Sequence, residues 1–196
     1  MGNLGAIVLA GGGARRLGGQ MKPAVRVGGV RMLDRVLTAV GGADPIVLVG
    51  PEALDVPATV IRVQEDPAGG GPVAAIGAAF AVPALRATSS VAVVAGDLPL
   101  LQPADVERLA SALATGSDGA LFVDANGRQQ WLCGVWRTAA IGERLAGFGT
   151  LAGGALRMLF ASMRITEVRA DATELPAFYD CDTDDDIRRV EEWLRR

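Results

Sequence analysis

The residues best suited to chemistry begin near the N-terminus, in the run Leu9-Ala10-Gly11-Gly12-Gly13-Ala14-Arg15-Arg16-Leu17-Gly18-Gly19-Gln20-Met21-Lys22. Consecutive glycines after an apolar strand let the backbone approach a ligand closely, with amides free to point at phosphate oxygens. Arg15, Arg16 and Lys22 add positive charge to the same loop. A polyphosphate would use both features. The segment lacks the Gly-Lys-Ser/Thr of a Walker A loop, and its glycine spacing differs from the dinucleotide fingerprint. A plain glycine turn with solvated cations is the simpler alternative. The combination of glycines, cations and a preceding buried strand favours a phosphate loop.

Three further segments carry candidate groups. Val93-Val94-Ala95-Gly96-Asp97-Leu98-Pro99 places Asp97 just past an apolar strand. Ligands of open α/β sheets bind at that edge. A carboxylate there could hold Mg²⁺, a hard cation that prefers oxygen, or could stabilise the turn into Pro99. Glu65-Asp66-Pro67-Ala68-Gly69-Gly70-Gly71-Pro72 puts Asp66 at a strand end before a second glycine cluster. Asp66, Gly71 and Pro72 would then contact a base or ribose, with an ordinary surface loop as the alternative. Asp180-Cys181-Asp182-Thr183-Asp184-Asp185-Asp186 is acidic. Either Asp180 or Asp182 joins Asp97 at a cation or caps the following helix; the three later acids suit a helix N-terminus.

The sequence also excludes chemistry. It contains no histidine, so Ser-His-Asp and Cys-His catalysis and His-ligated metals are ruled out. Cys133 and Cys181 have no metal-binding spacing and read as reduced thiols. With a net charge of −3 and no basic stripe, nucleic acid is not an expected partner. No apolar stretch reaches the ~20 residues of a membrane span, and the N-terminus lacks the basic region of a signal peptide. A cytoplasmic protein is expected.

These groups need elements to position them. The 196 residues are half hydrophobic, dominated by small side chains, and alternate between short β-rich and longer amphipathic runs, the βαβ pattern. The reading is one domain over residues 1–196. Strands are expected near residues 5–10, 45–49, 59–63, 90–95, 120–123, 132–136, 165–168 and 178–181. Helices are expected near 31–40, 71–81, from Pro103, and near 138–146, 151–162 and 184–196. The uninterrupted apolar run at 90–95 reads as a buried central parallel strand.

Together these motifs resemble the MobA-type nucleotidyltransferases, above all the molybdenum cofactor guanylyltransferases. Leu9–Gly12, Arg16–Gly19 and Lys22 match the family's first loop, with Leu17 in a methionine's place. Asp66 with Gly71-Pro72-Val73-Ala74-Ala75, then Asp97-Leu98-Pro99, then the stretch from Asp180 to Ile187, follow in family order along nearly the whole chain. Met21, Gly50, Trp131 and Asp184 depart from the pattern. The resemblance implies a Rossmann-like α/β fold of the nucleotide-diphospho-sugar transferase type, with a mixed, mostly parallel sheet and helices on both faces. It implies transfer of GMP from GTP to molybdopterin, with Arg16, Lys22 and Asp97 catalytic. Leu9, Ala10, Gly11, Gly12, Gly13, Arg16, Lys22, Asp66, Gly71, Pro72 and Asp97 would bind nucleotide, and Asp97, with Asp182 as a second candidate, would hold Mg²⁺. A relative using CTP or another acceptor, and a non-catalytic nucleotide-binding regulator, are the alternatives. The motifs say nothing about oligomeric state.

Overall fold

A computed structural model describes residues 3–11, 16–17, 20–113, 115–170 and 175–196, the side chains of 16, 17 and 20 excepted. Four neighbouring strands run parallel: β1 (Leu4–Leu9), β6 (Ile46–Val49), β7 (Val60–Val63) and β8 (Ser90–Ala95). β9 (Gly119–Val123), β10 (Gln129–Arg137) and β11 (Ile165–Arg169) complete a seven-stranded sheet in the order β11-β9-β10-β8-β1-β6-β7. Only β10 is reversed, pairing antiparallel with both β8 and β9. The expected mixed, mostly parallel sheet is therefore present.

Alternation along the strands sorts the core into two layers. Ala6, Val8, Ala92, Val94 and Phe122 face α1 (Met32–Ala39) and α4 (Pro103–Ala112), meeting Leu33, Val36, Val106 and Leu109. Ile7, Val91, Val93 and Leu121 face the other way. There they join Val73 and Ile76 of α2 (Pro72–Phe80), Ile141 of α5 (Thr138–Ala146) and Leu159 of α6 (Leu156–Leu159). Burial on both faces explains why the central strands read as continuous apolar runs.

Helix starts follow their local chemistry. Gly71 precedes α2 with φ 89°, a conformation that favours glycine, and Pro72 supplies a preset φ at the first helical position. Gln102 donates its backbone N–H to Asp105 at 2.9 Å ahead of Pro103 in α4. α7 (Asp184–Leu194) is capped by Thr183, whose hydroxyl accepts the Asp186 N–H at 3.2 Å while Asp186 accepts the Thr183 N–H at 2.9 Å.

Several expectations are corrected. Residues 178–181 form turns and irregular chain, not a strand: they pair with neither edge strand, and Phe178 packs instead on Phe122 over the sheet face. The helix expected over 151–162 is confined to α6; Gly153, with φ 75°, precedes it. Two small hairpins were not foreseen: β2 (Arg16–Leu17) with β3 (Gln20–Met21), and β4 (Arg26–Val27) with β5 (Val30–Arg31). α3 (Pro83–Arg86) is likewise additional. α7 packs against the β4–β5 hairpin, where Gly28 donates its N–H to Glu191 at 3.0 Å. Val27, Met32, Leu100, Cys181 and Val190 form a third apolar cluster there.

Candidate functional site

Three strand ends converge at the carboxyl edge of the sheet, where β1, β6 and β8 lie side by side. The Ala10 N–H bonds Val49 O at 2.8 Å, and the Gly96 N–H bonds Leu9 O at 2.9 Å. The fit around Ala10 is tight. A Cβ on Gly96 would sit 3.1 Å from the Ala10 Cβ, and one on Gly50 3.2 Å from the Ala10 carbonyl carbon. Glycine at both flanks lets the end of β1 lie flush, with Gly11 beyond it close to Gly50 and Glu65. This also gives a packing reason for Gly50, a departure from the family pattern.

A cavity of about 260 Å³ opens at this edge. Leu9, Ala10, Gly11, Lys22, Gly71, Pro72 and Asp97, all singled out in the sequence, line it with Glu65. The short 3₁₀ turn Lys22–Ala24 follows β3 and carries Lys22, which is 8% exposed, into the cavity wall. Its Nζ lies 3.6 Å from Asp97 Oδ2 and also pairs with Asp182 Oδ1. Asp182 therefore serves an ion pair, and neither Asp180 nor Asp182 caps α7, since Thr183 does.

Burial pushes the Asp97 carboxyl above its ordinary pKa of 3.8, Lys22 pulls against that, and the charge of Asp180 adds to the rise. Desolvation and a like-charged neighbour both disfavour ionisation. Such a site gains from a bound cation. Among the described residues, no three His, Cys, Asp or Glu side chains converge into a protein-only metal cage. The donor set fits a hard cation held by one or two carboxylates, with remaining positions for phosphate oxygens and water, the usual Mg²⁺ arrangement.

A second cavity, of about 570 Å³, meets the first at Ala95, Asp97 and Leu132. It is lined by Arg128, Gln130, Trp131, Glu167, Phe178 and Asp180, among others. Trp131 is stacked on Phe160, ring centroids 5.4 Å apart, and Phe160 in turn on the buried Trp136 at 3.9 Å. Two compartments thus share one carboxylate. Cys133 and Cys181 supply no nucleophile: burial raises both thiols, Cys181 to about 12.

Gly12, Gly13 and the side chain of Arg16 lie outside the described residues. Asp66 is exposed and does not line the cavity; its neighbour Glu65, 5% exposed, does. Glu65 was missed because the Asp-Pro turn drew attention to the following acid. The usable signal was parity: Glu65 continues the alternation of Val63, which packs toward α2.

A model of the MobA-like NTP transferase domain matches residues 6–167. A molybdenum cofactor guanylyltransferase of Cereibacter sphaeroides is 30% identical over 201 residues, covering 97% of this chain and 96% of its own. One from Rhizobium leguminosarum bv. trifolii is 31% identical over 200 residues, covering 97% and 93%. Among solved structures, molybdopterin-guanine dinucleotide biosynthesis protein A from Archaeoglobus fulgidus superposes with a TM-score of 0.72 at 24% identity, over 97% of this chain and 98% of that one. The 2-C-methyl-D-erythritol 4-phosphate cytidylyltransferase of Thermus thermophilus does so at 0.71 and 17% identity, over 99% and 100%. At these identities the two superpositions establish the fold alone.

Proposed function

The chain belongs to the MobA-like NTP transferase family, and from that premise we propose that it transfers GMP from GTP to molybdenum-molybdopterin, with release of pyrophosphate. The observation that carries this reading is the similarity to molybdenum cofactor guanylyltransferases, which runs through 97% of the chain. The cavity's arrangement of glycine backbone, lysine and buried aspartate agrees with it.

GTP lies along the sheet edge with Gly11 beside it, its triphosphate bound by Lys22 and, as the family resemblance implies, by Gly12, Gly13 and Arg16. Leu9, Ala10, Gly71 and Pro72 form the apolar and backbone wall beside it. The acceptor takes the second cavity, so its terminal phosphate oxygen and the α-phosphorus of GTP meet beside Asp97. That oxygen forms a bond to the α-phosphorus, and the bond from the α-phosphorus to the bridging oxygen of the β-phosphate breaks. The electron pair leaves with pyrophosphate. The phosphate nucleophile is ionised at neutral pH, so no histidine or other base is required. Lys22 balances charge that grows on the leaving group, and Asp97 together with Asp180 or Asp182 is the place for Mg²⁺. When bound, the ion supplies charge neutralisation at the phosphate oxygens. Catalysis is otherwise positioning and fixed electrostatics.

The test is pyrophosphate release with molybdenum-molybdopterin as acceptor and GTP, CTP or ATP as donor, each with Mg²⁺. Turnover with GTP well above the others supports the reading. A preference for CTP would move the chain to a cytidylyl activity, which the same fold also carries.

A further inference from the structure

Among the described residues, Glu65 is the one charged cavity-lining side chain that the proposed triphosphate site does not use. One carboxyl oxygen, Oε1, accepts the Gly69 N–H at 3.0 Å. The other, Oε2, is buried and has no hydrogen-bond partner among the described residues. It lies near Gly11, 3.7 Å from where a Cβ on that glycine would be. A buried acceptor left unpaired is unfavourable unless something pairs with it. Its position at the cavity wall means a ligand can do so.

The sheet order says which part of a ligand. Asp97 follows β8 and Glu65 follows β7, with β1 and β6 between them. The Glu65 side chain reaches back from β7 so that Oε2 stands beside Gly11, while Lys22 pairs with Asp97. The phosphates of a nucleoside triphosphate belong at the Lys22 end and are repelled from the Glu65 carboxylate. The nucleoside therefore falls at Glu65.

We propose that Glu65 reads the nucleobase, with Oε2 accepting a hydrogen bond from the N1–H of guanine. This rests on the nucleotide-transfer reading given above. Guanine presents N1–H and N2–H₂ side by side and no acceptor between them. Adenine and cytosine each set a ring-nitrogen acceptor beside their amine, which would face the carboxylate lone pairs. A site whose own acceptor is left unpaired, or opposed, by the wrong base discriminates strongly.

The experiment is calorimetric titration with Mg²⁺ and GTP, ATP, CTP or N1-methyl-GTP. The proteins are the wild type, Glu65→Gln and Asp66→Asn. Gln keeps the volume and an oxygen for the Gly69 N–H, and turns an amine donor toward the base. Wild-type affinity for N1-methyl-GTP should fall about 10-fold or more below that for GTP, and Glu65→Gln should reduce the GTP-over-ATP ratio by a similar factor. The N1-methyl comparison needs no substitution, so it stands even if Glu65→Gln fails to fold. A GTP-selective wild type that binds N1-methyl-GTP equally well overturns this inference alone. So does a folded Glu65→Gln with an unchanged ratio, or a ratio that moves only in Asp66→Asn. A wild type preferring CTP or ATP overturns the guanylyl reading, and this inference with it.

Discussion

At the scale of single residues, the site is a small electrostatic network. Lys22 is held between Asp97 and Asp182, so it both compensates buried acid and stands ready for phosphate. Lys22→Ala should lower turnover by about 10²–10³, the effect of one well-placed electrostatic donor. Near wild-type turnover in a pyrophosphate-release assay would remove Lys22 from the mechanism. Asp97→Asn keeps the shape but not the charge a hard cation needs, so Mg²⁺-dependent turnover should vanish. The same change should act oppositely on stability. Burial raises the Asp97 pKa in the folded protein above its ordinary 3.8. The native state therefore binds this proton more tightly than the unfolded chain does. Wild-type stability from this group is greatest at or below pH 3.8 and declines as pH rises through the folded pKa. In urea unfolding without ligand, Asp97→Asn should gain on the wild type over that window. A constant difference between the two across pH 4 to 7 would contradict it.

At the scale of elements, packing between neighbouring strands is the most sensitive point. A Cβ on Gly119 of β9 would lie 2.1 Å from Trp136 Cε3 of β10, and Trp136 is fully buried. Gly119→Ala should destabilise the fold by about 1–3 kcal/mol through overpacking, while the folded fraction keeps its turnover. An unchanged urea midpoint would mean that the Trp136 ring moves aside freely. Thr183→Ala removes the α7 cap and should reduce stability by about 1 kcal/mol. The same helix buttresses the β4–β5 hairpin, which follows the Lys22 turn. Loss of the cap thus loosens the support behind the site, and amide exchange in residues 184–187 should rise first.

At the scale of the whole molecule, the groups of the candidate site are spread across the chain from Gly11 to Asp182, and only folding gathers them. A ligand that binds there binds the native state alone and stabilises all of it. GTP with Mg²⁺ at 100 times its Kd should add about 2.7 kcal/mol, or roughly 5–10 °C in Tm for a protein of this size. Absence of any shift in differential scanning calorimetry would contradict a nucleotide site. The described residues contain no helix long and apolar enough to cross a membrane.

The sequence alone was enough where the physics is local. The apolar run at Ser90–Ala95 and the helix at Thr138–Ala146 lie where periodicity and flanking residues put them, and Lys22 and Asp97 were legible as charges beside glycine turns. Two-residue strands such as β2 to β5 carry no periodicity, so those hairpins could not be read. The reversal of β10 depends on which neighbours it pairs with, and residues 178–181 form no strand because Phe178 packs over the sheet face rather than along an edge. Asp182 read as a helix cap or a cation ligand until the tertiary fold brought it to Lys22, 160 positions away. The choice between Glu65 and Asp66 was also tertiary. Adjacent acids after a strand point opposite ways, and only the packing of β7 against α2 decides which one is buried at the cavity.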